Sequence, residues 1–279
     1  KVLVTSCSAK SAARIASPYV TRVLDTGIDQ TTGSPYLVME RLRGRDLGLL
    51  LKREGCGLEP APIVSLFLHA CDALSAAHAL GIVHRDVKPS NLFVHEVGDG
   101  TAVLKICDFG IAKQLSPAGA PEQSAELTRT GGLLGSPLYM SPEQAKSAKN
   151  VDARSDVFSL ALSLHEALSG QRPWPGRTSM GEIIVAVCTE DVPPLRLVAP
   201  WVDARLAAAI EKGLARDAAQ RWQSVAELAN AIRPFGVGRA VRTSELVGIS
   251  PDRASQRVLA ETPSSQGSGL NAVAITSSQ

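Results

Sequence analysis

The sequence has 279 residues, a formal net charge of +2 and 44% hydrophobic residues, enough for one sizeable domain with a buried core. Near-balanced charge excludes a broad electrostatic footprint for nucleic acid or an anionic membrane. No apolar run reaches the roughly 18–20 residues needed to cross a bilayer, and no leader peptide is visible. The cysteines (Cys7, Cys56, Cys71, Cys107 and Cys188) are scattered without a CxxC pair, which favours reduced thiols in the cytoplasm over disulfides or zinc.

In chain order, residues 20–25 and 35–39 read as short strands, and the Thr26–Ser34 stretch between them supplies turn residues. After Gly44 the pattern turns helical. Pro62 suits a first helical position, and Ile63, Phe67, Ala70, Leu74 and Ala77 recur at helical spacing up to Gly81. Leu92–Val94 and Val103–Ile106 are strand candidates joined by a Gly98-Asp99-Gly100 turn. Helices are expected at Asp156–Leu168, closed by Gly170, then near Ser179–Val187, Val202–Ala215 and Val225–Ile232. Beyond Phe235 there are no aromatic residues, and Ser, Thr, Gly and Gln accumulate. Such a segment buries too little apolar surface to offset its ordering entropy, so residues 234–279 are expected to form a disordered tail.

The chemistry concentrates in His84-Arg85-Asp86-Val87-Lys88-Pro89-Ser90-Asn91 and Asp108-Phe109-Gly110. Phosphoryl transfer from a nucleotide needs a carboxylate to orient the attacking hydroxyl, oxygen ligands for magnesium, and a cation against the moving charge. Asp86 can be the base, Lys88 the cation, Asn91 a neutral oxygen ligand and Asp108 an anionic one. Each fragment alone is weak. Their joint order and spacing is a strong signal.

This series resembles the protein kinase family, in particular bacterial serine/threonine kinases, over about residues 12–232. Further matches follow in order. Gly135 to Glu143 (Gly-Ser-Pro-Leu-Tyr-Met-Ser-Pro-Glu) looks like the family's substrate-docking segment, with Ser136 where Thr is usual. Asp156 resembles the buried Asp that braces the catalytic loop, and Arg221 the arginine that pairs with Glu143. Asp86-x-Lys88 is similar to the serine/threonine rather than the tyrosine kinase loop.

The resemblance implies an α+β, two-lobed kinase-like fold. Its domain is residues 1–233, with an incomplete β-containing small lobe (1–40) and a mainly helical large lobe with the hinge (41–233). It implies transfer of the ATP γ-phosphoryl to Ser/Thr hydroxyls of protein substrates, with Asp86, Lys88 and Ser136 catalytic and Mg²⁺ on Asn91 and Asp108. Around the nucleotide it implies Met39 as gatekeeper, the backbone of Glu40 and Leu42 at the adenine edge, and Phe93 beneath the ring. Asp46 is either a ribose contact or a plain helix N-cap. Cys107 is a small hydrophobe facing the pocket. Thr128 and Thr130 resemble an autophosphorylation pair that Arg85 would bind, with a dimer as the unit that phosphorylates itself. The expected setting is cytoplasmic, with neither nucleic acid nor a membrane segment involved.

The family's Gly-rich loop has no counterpart here, because Gly27 and Gly33 fall in the turn before the hinge strand. Lys1-Val2-Leu3 looks like the end of the strand that carries the phosphate-contacting lysine, and Ser8 stands at the position of its helical Glu partner. The small lobe is therefore expected to be truncated. The alternative is a pseudokinase or interaction module with a degraded small lobe.

Overall fold

The computed structural model describes residues 14–33, 35–109, 137–147 and 151–249. The first elements are β1 (Val23–Ile28) and β2 (Pro35–Met39), an antiparallel hairpin running from Val23 opposite Met39 to Ile28 opposite Pro35. β1 starts three residues later than the pattern suggests because Tyr19 to Thr21 are engaged elsewhere. Ile106 donates its N–H to the Tyr19 carbonyl and accepts from the Thr21 N–H. A short β3 (Gly44–Asp46), which periodicity did not reveal, leads straight into α1 (Leu47–Glu54). Asp46 caps this helix by accepting from the Leu49 N–H at 2.9 Å.

Helix α2 (Pro60–His78) starts one turn-half earlier than Pro62, and its apolar positions Ile63, Phe67, Ala70, Leu74 and Ala77 are fully buried. By length and composition it is apolar enough to cross a membrane, contrary to the expectation that no run here reaches that size. Its burial accounts for that character: it is the core helix around which the other elements pack. Gly81 then turns the chain with φ 72°, a conformation open to glycine.

β4 (Leu92–Glu96) and β5 (Thr101–Ile106) form a hairpin through the expected Gly98–Gly100 turn. Among the described residues, these strands lie in one sheet of order β3-β4-β5-β6, with β6 at Val241–Arg242. Along β5, Ala102, Leu104 and Ile106 point into the core and alternate with half-exposed residues, the period-2 pattern of a half-buried strand.

After α3 (Pro142–Lys146), helix α4 (Ala153–Ser169) is buried along nearly its whole length. Its serines solve the resulting polar problem locally. Ser159 and Ser163 donate to the carbonyls of Ser155 and Ser159, one turn back. Gly170 ends it in the left-handed region, where a Cβ would sit 2.4 Å from the Cys56 backbone. The rest is α5 (Met180–Thr189), α6 (Leu195–Val198), α7 (Ala204–Gly213) and α8 (Val225–Ile232). Ser179 and Ser224, the residues just ahead of α5 and α8, cap them.

The expected tail needs correction in its first part. Residues 236–249 are ordered: β6 (Val241–Arg242) pairs with the start of β5, and Val241, Leu246 and Ile249 are buried. Three isolated aliphatic side chains, too sparse to register as a periodic pattern, seal onto a surface the earlier elements provide. Residues 250–279, together with Lys1, Ser8, Gly110, Thr128, Thr130 and Ser136, lie outside the described residues.

Candidate active site

The β4–β5 hairpin explains how two distant motifs meet. Leu92 pairs with Ile106, so Asn91, just before β4, and Cys107-Asp108, just after β5, emerge at the same end of the ladder. The Cys107 N–H donates to the Asn91 carbonyl at 2.9 Å and seals that junction.

Asp86, Lys88 and Asn91 form one cluster. Lys88 Nζ donates to Asp86 Oδ2 at 2.8 Å. Asn91 Nδ2 donates to the same Oδ2 at 3.1 Å and to the Asp86 carbonyl at 2.8 Å. Both Asn91 bonds use the amide nitrogen, which fixes the amide orientation and turns Oδ1 the other way. Both side-chain bonds to Asp86 fall on Oδ2, leaving Oδ1 without a partner among the described residues. The Asp86 side chain remains 33% exposed.

The backbone beneath this cluster is pinned from several sides. Asp156, fully buried on α4, accepts from the N–H groups of His84 and Arg85, each at 2.8 Å. It also binds His78 Nε2 at 2.7 Å. Gln144 donates to the Arg85 carbonyl at 2.8 Å. Arg85 is held at φ 66° and Asp108 at φ 78°, conformations that non-glycine residues keep only when their surroundings over-determine them. His84 supplies the second restraint. Its Nδ1 accepts from the Asp86 N–H at 3.2 Å and its Nε2 lies 2.9 Å from the Cys107 carbonyl. Neutral imidazole with its proton on Nε2 satisfies both contacts. Phe109, the residue after Asp108, packs tilted on the His84 ring at 4.6 Å.

On the hinge side, register does the assembly. Asp46 pairs with Phe93, and Phe93 with Lys105, so the three side chains share one face in a row across the sheet. Lys105 Nζ donates to Glu40 Oε1 at 2.6 Å, and the Arg22 N–H donates to the same oxygen at 2.9 Å. Burial alone would raise the Glu40 carboxyl, but the Lys105 bond and the Arg22 N–H overcome it and hold it below its ordinary value. The Glu40 N–H donates to the Arg22 carbonyl, and among the described residues the Glu40 carbonyl has no backbone partner. Met39 ends β2 with its side chain partly exposed, and Leu42 is half-buried just before β3. The Cys107 thiol contacts Thr21 Oγ1 at 3.2 Å; burial raises its pKa, with the Thr21 bond opposing.

Farther out, Arg221 makes a bidentate pair with Glu143, both distances 2.8 Å. Burial raises the Glu143 carboxyl, but Arg221 and the Ser155 hydroxyl outweigh it and bring it to about 2. Tyr139 donates to Glu166, whose carboxyl is raised by burial. Asp156 and Arg221 thus do the bracing the motifs suggest. His78, Lys105 and Gln144 were missed. For Lys105 a signal existed: a cation on the half-exposed face of a strand that runs into Asp108.

A family profile described as the protein kinase domain matches residues 9–229. This chain belongs to the protein kinase family. Its relatives place it in the bacterial serine/threonine branch of that family. Serine/threonine-protein kinase PknB of Mycolicibacterium smegmatis is 36% identical over 258 residues, 88% of this chain and 39% of that protein. A probable serine/threonine-protein kinase of Corynebacterium efficiens is 34% identical over 226 residues, 79% of this chain and 33% of its own length. The chain therefore spans between a third and two fifths of the length of these curated relatives. Among solved structures, the PknI kinase domain of Mycobacterium tuberculosis superposes with a TM-score of 0.59 at 25% identity, covering 81% of this chain and 75% of that one. The two-lobed kinase-like fold expected from the motifs is thus the fold of the molecule.

Proposed function

We propose that this chain is the catalytic part of a serine/threonine protein kinase that moves the γ-phosphoryl of ATP to Ser/Thr hydroxyls of proteins in the cytoplasm. The observation that carries the reading is the Asp86–Lys88–Asn91 cluster. Lys88 and Asn91 hold the Asp86 carboxylate through one oxygen, so the other can accept the hydroxyl hydrogen of an incoming Ser or Thr. As the acceptor oxygen bonds to phosphorus, the bond to the leaving phosphate oxygen breaks, and the acceptor's proton is drawn toward Asp86. Lys88 balances charge beside the transferred group. Ser136, by its place in the docking motif, is assigned to steady Asp86 and Lys88.

Asn91 and Asp108 fit magnesium by donor chemistry. One amide oxygen turned away from its own hydrogen bonds and one carboxylate are hard oxygen ligands. Bound there, the metal would offset phosphate charge. Phe93 and Met39 are assigned to the adenine ring, and the Glu40 and Leu42 backbone to its edge. Asp46, already an N-cap, would offer its remaining oxygen to the ribose. Residues 1–233 are assigned to the kinase domain, and Thr128 and Thr130 to phosphorylation between two copies.

The test is incorporation of labelled phosphate into a generic basic protein substrate, alongside magnesium-dependent binding of a fluorescent ATP analogue. Asp86→Asn should lower the rate by about 10²–10⁴-fold while leaving nucleotide affinity in place. Absence of magnesium-dependent nucleotide binding by the parent chain would overturn the reading and favour an interaction module.

A further inference from the structure

Residues 236–249 lie beyond the part of the chain that matches the kinase domain, residues 9–229. They run back across the molecule as a strap with three grips. The Val237 N–H donates to Ser65 Oγ at 2.8 Å, near the start of α2. Val241 and Arg242 pair with Ala102 and Thr101 at the start of β5, and the Thr243 N–H donates to the Gly100 carbonyl at 3.0 Å. The Gly248 N–H donates to Glu54 Oε2 at 3.1 Å, at the end of α1. There the strap also exchanges backbone bonds with the α1–α2 connection: Glu59 N–H to the Val247 carbonyl and Ile249 N–H to the Gly57 carbonyl.

Each gripped element carries a residue of the site assembly at its opposite end. α1 is capped by Asp46 at its other end. α2 ends in His78, which binds Asp156 beneath the catalytic loop. β5 runs on through Cys107 into Asp108. Helices and paired strands are stiff over these lengths, about 12 Å for an eight-residue helix, so fixing one end fixes the other.

We propose that the 236–249 strap is a positioning element for the nucleotide side of the site. It clamps α1, α2 and β5 from behind and so sets the relative places of Asp46, His78 and Asp108. The consequence for nucleotide affinity rests on the kinase reading; the clamping itself does not.

Three variants of the full chain test this without touching a residue of the site. Gly248→Val places a Cβ 2.4 Å from Cys56 Sγ and pushes the strap off the end of α1. Val241→Asp puts a carboxylate in a buried position. Ser65→Ala removes the acceptor of the Val237 N–H and the hydroxyl's own bond to the Ala61 carbonyl; as the mildest of the three it decides the matter if either of the others fails to fold. Amide hydrogen exchange at Leu47–Leu51, Leu74–His78 and Leu104–Asp108 should rise about threefold or more. The Kd for the magnesium complex of a fluorescent ATP analogue should rise about fivefold, with thermal unfolding still a single transition. Faster exchange confined to the gripped ends (residues 54–59, 65 and 99–102), or unchanged affinity in a parent chain that binds nucleotide, would overturn the proposal. If the parent chain binds no nucleotide, the kinase reading falls, and exchange at the remote ends alone upholds or overturns the clamp.

Discussion

Replacing Glu143 by Gln should destabilise the kinase domain by about 2–3 kcal/mol at pH 7 and remove part of its acid sensitivity. The Arg221 side chain is fully buried, and Glu143 meets it through two bonds of 2.8 Å. Removing one member of a buried pair costs about 3–5 kcal/mol. Arg221 also donates to the carbonyls of Ala215, Arg154 and Arg216, and those bonds survive, so the lower end applies. The pH dependence gives an independent estimate. The Glu143 carboxyl falls from 4.5 to about 2 on folding, and each unit corresponds to about 1.4 kcal/mol. With the side chain 20% exposed, screening leaves about 2 kcal/mol. Because the folded value is depressed, this stability is complete above pH 4.5 and is lost as the pH falls toward 2. Urea denaturation of parent and E143Q between pH 7 and pH 2.5 isolates it, since the other carboxylates titrate in both proteins. The stability difference should hold from pH 7 to about 5 and then shrink steadily. A difference that ignores pH, or none at pH 7, would refute the reasoning.

Asp156→Ala should cost about 3–5 kcal/mol and abolish phosphate transfer, because the buried His84 N–H, the Arg85 N–H and the His78 ring lose their shared acceptor. Thermal denaturation would contradict this if the variant melted within a degree or two of the parent. Burial pushes the Cys71 thiol up to about 12 and raises Cys107 as well. At pH 8, iodoacetamide should therefore label both slowly in the native protein, Cys71 slowest, and rapidly after unfolding; comparable native and unfolded rates at Cys71, read by mass spectrometry, would count against the packing.

Much of this protein was legible before folding because its chemistry is written in short, ordered motifs. His84 to Asn91 and Asp108-Phe109 name their own groups, and Ile63 to Ala77 announce a core helix through a 3.6-residue period. What escaped was whatever depends on register or on surfaces built by other elements. β3 is three residues long, too short for a period to show. The final segment was expected to be disordered through residue 279, yet Val241, Leu246 and Ile249 bury against elements that precede them by more than a hundred positions.

The sequence by itself determined which groups are available for the proposed phosphoryl transfer and in what order, since residue type and local spacing are properties of the chain. Tertiary structure decided which of them meet. The β4–β5 ladder brings Asn91 beside Cys107, buried Asp156 gathers His78, His84 and Arg85, and sheet register sets Asp46, Phe93 and Lys105 in one row with Lys105 on Glu40. Those meetings are long-range, and hydrogen bonds and burial select among partners that local sequence leaves equivalent.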